Sequence, residues 1–151
     1  MPEIVTHHFY SQKVLSSLSS EIRNHINGSL YRIGSRGPDP LGIVRFWWLP
    51  AWRGLHRMSS EMHNRKSGAF FRKLLEETKK SSREEKDILF SYACGFLTHY
   101  FLDAFCHPYI ISQTGLGKGT EGNHRSLEHA IDRLFLQEHR VDLRSRPITG
   151  T

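Results

Sequence analysis

The stretch LTHYFLDAFCH, Leu97 to His107, decides how the rest of the chain is read. His99, Asp103 and His107 recur every fourth residue, so on an α-helix each falls about one turn above the last. Leu97, Tyr100, Phe101, Leu102, Ala104, Phe105 and Cys106 stand between them. The pattern predicts a helix buried on nearly all sides, with one polar seam of imidazole, carboxylate and imidazole. Charge left without a partner in an apolar interior is costly or neutralises itself. A metal ion is the partner that suits this donor set best.

Working outward, Ser82-Arg83-Glu84-Glu85 is a capping box, so the central helix starts there and runs to about Cys106, with Pro108 as its stop. A last helix is expected from Asn123, as N-cap, to Glu138, with Leu127, Ala130, Ile131, Leu134 and Phe135 on its apolar side. Upstream, Thr6 is the expected N-cap of a first helix reaching about Ile26, where Asn27-Gly28 ends it. Gly34 to Pro40 reads as an ordered loop without regular structure, because it holds two glycines and two prolines. A helix or turn is expected over Leu55 to Asn64, and a helix from about Ser67 through Leu75 into the polar Glu76 to Ser82. No repeat and no strand pair is visible. The expectation is all-α: a single-domain bundle of about five helices over residues 1–138, with a metal-lined cleft and a polar tail over 139–151.

Composition narrows the class. A chain of 151 residues suits one domain with one core, and its 24% charged residues speak against disorder. No uninterrupted apolar run reaches the roughly 20 residues of a membrane span, and no basic-then-apolar leader opens the chain. A cytoplasmic protein is the expectation. Cys94 and Cys106 would lie about 18 Å apart on one helix, beyond disulfide reach, and read as small apolar side chains. The net charge of +6 fits solubility, and also anionic partners such as phosphate-bearing lipids or nucleic acid.

A second ligand pattern sits on the last helix, where His124 and Glu128 are again four apart and share a face. Thr6-His7-His8, Asp39, His56 and His63 offer more donors. Singly, each has an ordinary reading: a surface pair, a turn residue, a solvated imidazole. Their conjunction with the apolar helix that carries His99, Asp103 and His107 points to metal. A di-iron bundle fits poorly, since it wants two Glu-x-x-His motifs on separate helices and the chain offers only Glu121 to His124.

The ordered set Thr6-His7, GSRGPD ending at Asp39, EMH ending at His63, His99-x3-Asp103-x3-His107-Pro108 and His124-x3-Glu128 resembles the zinc-dependent phospholipase C family. Single-strand nucleases share that helical zinc fold. The likeness runs from residue 4 to about 138. It implies two to three Zn2+ ions. Asp39, His63, His99 and Asp103 would hold one; Asp103 would bridge to a second bound by His7; His107, His124 and Glu128 would hold the third. Asp39 would orient or deprotonate a zinc-activated water that attacks a phospholipid phosphodiester. The alternatives are a single-strand nuclease with the same metals, and a metal- or lipid-binding helical module without catalysis.

The sequence departs from the family pattern at three points. Its secreted members complete one zinc site with a free N-terminal residue, whereas here His7 follows six others. The interval from Asp39 favours His56, while the Glu-Met-His-Asn context favours His63. His7 and His8 are adjacent, only one of them can point inward, and the Thr-His context favours His7. Finally, Trp47 and Trp48, in the run Phe46 to Arg53, suit either a core wedge or contact with a membrane interface.

Overall fold

The structure, a computed structural model, describes residues 4–43, 52–64, 67–117 and 119–139. These residues are all-α, with eight helices and no strand among them: α1 (Ile4–Ser17), α2 (Ser20–Arg23), α3 (Gly28–Gly34), α4 (Asp39–Ile43), α5 (Trp52–Asn64), α6 (Ser67–Lys80), α7 (Arg83–Thr114) and α8 (Glu121–Glu138). Backbone packing divides the chain into two compact units, one of residues 18–100 and one of residues 1–17 with 101–151. The helix α7 contributes its first part to one and its last part to the other.

Eight helices replace the expected five for identifiable reasons. The first predicted helix breaks at its serines. The Ser16 and Ser17 hydroxyls both donate to the Lys13 carbonyl, and the Ser19 side chain caps α2 by accepting from the Ile22 N–H. Serine competes in this way for the backbone bonds a helix needs. The Gly34–Pro40 region is not wholly irregular: α3 ends on Gly34, a tight turn follows, and α4 opens at Asp39 with Pro40 in its first turn. Proline is tolerated there because first-turn N–H groups have no helical acceptor.

Three expected boundaries also move. Thr6 lies inside α1 and is buried, so it is no N-cap. The helix α8 starts at Glu121 behind Thr120, ahead of Asn123. Pro108 does not end α7, which continues to Thr114. Ala104 and Pro108 lie on an exposed flank, where water can serve the carbonyl that proline leaves without its usual donor. The predicted capping box does open α7: the Glu85 N–H donates to Ser82 Oγ, and Glu85 Oε2 accepts from the Ser82 N–H at 3.0 Å. The Ser82 N–H and the Ser82 hydroxyl, both donating to Oε2, hold the Glu85 carboxyl below its ordinary pKa.

In the unit of residues 18–100, α3 packs tightly on α7. A Cβ on Gly34 would stand 2.2 Å from the Tyr92 carbonyl oxygen, and one on Gly95 would stand 2.0 Å from that of Tyr31. Only two facing glycines let the backbones approach so closely. The Asn27 N–H donates to Ser91 Oγ at 2.9 Å. Thr98 Oγ1 donates to the Cys94 carbonyl, so the buried Tyr31 hydroxyl donates to Thr98 at 2.9 Å. Phe70 and Phe71 of α6 lie against the buried Phe96, with ring centroids 4.6 and 5.4 Å away.

In the other unit α1 packs along α8, and Phe9 stacks on His139 at 4.1 Å between centroids. Thr6, Phe9, Leu102, Phe105, Ile131 and Phe135 are among the lining of a groove of about 860 Å³.

The helix α7 is not buried all round, as its sequence suggested. His99, Asp103 and Ile110 are buried, while Leu97, Phe101, Phe105 and Tyr109 are exposed, Phe105 by 76%. The polar seam is the inward face. By length and hydropathy α7 would also reach across a bilayer, but a core helix meets the same criterion. Cys94 and Cys106 are free, half-buried thiols whose pKa values burial pushes up. Trp47, Trp48 and the tail beyond His139 lie outside the described residues.

Candidate metal centres

Three predicted donors converge in the unit of residues 18–100. Asp39, at the start of α4, sends Oδ1 to 2.8 Å from His63 Nε2 on α5 and to 3.7 Å from His99 Nε2 on α7. The rings of His63 and His99 stand edge to face, with centroids 5.6 Å apart. The sharp turn before Asp39 makes this possible. Gly37 has φ +56, and a Cβ there would fall 2.2 Å from His99 Cδ2, so the imidazole occupies the space a side chain would need. His99 is only 2% exposed. The structure brings His63 to Asp39, whereas His56 lies exposed on α5.

The hydrogen bonding of His63 bears on what the group can hold. Its Nδ1 lies 2.8 Å from the Ser59 carbonyl, which can only accept, so Nδ1 carries hydrogen. The neutral tautomer then aims the lone pair of Nε2 at the Asp39 carboxylate, an arrangement that calls for a proton or a cation between the two. A backbone carbonyl on the far ring nitrogen is also the usual way of orienting a metal-binding histidine.

A second set of donors converges in the other unit. His124 Nε2 lies 3.0 Å from Glu128 Oε1 one turn along α8, and His107 Nε2 of α7 lies 4.0 Å from the same oxygen. Glu128 is buried, and the two imidazole rings are 5.7 Å apart. Burial lowers the His124 pKa, which favours the neutral imidazole that binds metal. In the same unit His7 Nε2 stands 3.2 Å from Asp103 Oδ1, with both residues buried. His8 is half-buried, its ring edge-on to Phe9.

Each complete group offers two imidazoles and a carboxylate with all donor atoms within 4.8 Å of one another. Zinc at about 2.0–2.1 Å from tetrahedral ligands separates those ligands by about 3.3 Å. The separations of 2.8 and 3.7 Å, and of 3.0 and 4.0 Å, bracket that value. The donor chemistry therefore fits zinc. The profile of the zinc dependent phospholipase C family matches residues 6–149, nearly the whole chain. The chain belongs to this family. No curated protein and no solved structure matches it.

Sequence reasoning on this member of the zinc dependent phospholipase C family overlooked residues around the candidate donors. Ser59 left no signal, because its contribution is a backbone carbonyl. Gly37 was visible as a turn glycine, but its contact with His99 depends on tertiary packing. Asp132 did leave a signal. It extends His124 and Glu128 by one more four-residue step along α8, and the structure buries it against the start of α1.

Proposed function

We propose that the chain is a zinc-dependent phosphodiester hydrolase that releases a phosphorylated headgroup from glycerophospholipids. The observation that carries this reading is the Asp39–His63–His99 group, with imidazole nitrogen and carboxylate oxygen aimed at a common point in a member of this family. Bound zinc would acidify water and neutralise phosphate oxygens. The chain's own residues supply the rest. His63, held by the Ser59 carbonyl, and His99, seated over Gly37, keep Nε2 turned towards Asp39. Asp39 retains a second carboxylate oxygen that can orient water or accept its proton. His7 with Asp103, and His107 with His124 and Glu128, are the remaining proposed ligands, for two to three ions in all. The net charge of +6 suits a phosphate-bearing substrate.

Metal analysis of the purified protein, paired with hydrolysis assays on phosphatidylcholine vesicles and on single-stranded DNA, tests the reading. We expect at least two zinc ions per chain, lipid hydrolysis lost on chelation, and near-complete loss in Asp39→Asn. Cleavage of DNA but not lipid would reassign the substrate to nucleic acid. Bound zinc without hydrolysis of either would make the chain a binding module.

A further inference from the structure

Asp132 belongs to neither ligand group, yet it is one of the most heavily engaged carboxylates described. It is only 6% exposed. Its Oδ2 accepts the Val5 N–H at 3.1 Å; its Oδ1 accepts the Thr6 N–H at 2.9 Å and the Thr6 hydroxyl as well. Val5 and Thr6 are in the first turn of α1, where N–H groups have no acceptor within the helix. A carboxylate there satisfies those donors and suits the positive end of the helix dipole. Such caps normally come from the residue just before the helix. This one reaches α1 from α8, across 126 positions of sequence.

The next residue in the chain is His7. Its backbone follows directly from the clamped Thr6, and its Nε2 stands 3.2 Å from Asp103 Oδ1. We infer that Asp132 is a positioning residue: it fixes the first turn of α1, and with it His7, against Asp103 before any metal arrives. Glu128 and Asp132 then divide the work of one α8 stripe, the first facing His124 and His107, the second holding the helix that bears His7. Orientation of a ligand by such an outer partner is worth roughly 10–100-fold in metal affinity. The consequence for zinc rests on the function proposed above; the clamp itself does not.

The test uses the full chain, first stripped of zinc. In Asp132→Ala the Val5 and Thr6 amides should exchange with deuterium at least tenfold faster than in the unaltered protein, while the α8 amides keep their protection. In competition with a chelator, Asp132→Ala should lose zinc as readily as His7→Ala, and the double variant should lose no more than either. Asp132→Asn, with one acceptor oxygen left, should fall between. Should Asp132→Ala fail to fold, Thr6→Val and Asp132→Asn carry the same comparison with smaller effects. Unchanged exchange at Val5 and Thr6 overturns the clamp, as do losses in Asp132→Ala and His7→Ala that simply add. If the unaltered chain binds no zinc while Asp132→Ala still frees those amides, the clamp stands and the proposed activity falls.

Discussion

The fit between Gly37 and His99 is the tightest constraint at the scale of single residues. A methyl group at Gly37 meets the His99 ring at 2.2 Å and must also adopt a positive φ. Gly37→Ala should therefore cost about 1–3 kcal/mol of stability through backbone strain alone, and it should also lower the zinc held by Asp39, His63 and His99. Denaturant titration with metal analysis reads both. Gly54→Ala is the control: nothing lies within 4 Å of a Cβ there, and α5 should gain about 0.5–1 kcal/mol from it. His124 supplies a pH dependence of known sign. Burial lowers its folded pKa below the usual 6.5, so its neutral form stabilises the fold above that pH. This contribution disappears as pH falls through the folded value. Melting of the zinc-free protein between pH 7.5 and 5 should thus show a smaller acid-side drop in His124→Gln than in the unaltered chain. The candidate donors that lie together in the fold were legible because ligand types and four-residue steps are written in the chain. Ser59 was not, because it acts through a carbonyl that any residue possesses.

Among the elements, the contact of α3 with α7 governs where His99 and the turn before Asp39 come to rest. A methyl group on Gly95 would meet a backbone oxygen at 2.0 Å, with no flexible side chain to yield. Gly95→Ala should destabilise by about 3 kcal/mol, the upper end for overpacking, as measured by denaturant midpoint. Ala104→Gly, by contrast, changes an exposed position of α7 and should cost about 1 kcal/mol through helix propensity. The long helices were legible from periodicity and from the Ser82–Glu85 capping box. The short ones were not: α2 and α4 span four and five residues, too few for a hydrophobic period to register. Pro108 misled in the opposite direction. Its rule describes the hydrogen bond a helix loses, whereas the outcome depended on whether the orphaned carbonyl faces solvent, which local sequence does not state.

For the molecule as a whole, one complete donor group lies in each compact unit. Zinc bound to the folded chain should stabilise it by about 4 kcal/mol at free zinc a thousandfold above Kd. Differential scanning calorimetry with added zinc and then chelator should show a matching rise and fall in Tm. His63→Ala and Glu128→Ala remove proposed ligands from different units, so their losses of bound zinc should add. Family membership was readable because it depends on the order of widely spaced residues, and the all-α class because helical periodicity is written locally. The division into units was not, since one uninterrupted helix contributes to both. The facing glycines of α3 and α7 have a consequence for any survey of variation along the chain. Gly34 and Gly95, like Gly37 in the turn before α4, supply no ligand, proton or charge, yet even a methyl group at each would meet a neighbouring atom at 2.2 Å or less. A saturation-mutagenesis profile scored by growth or activity would rank them beside His63 and His99. Intolerance would therefore mark out a larger set of positions than the chemistry uses, and only a measurement of folding would separate the two.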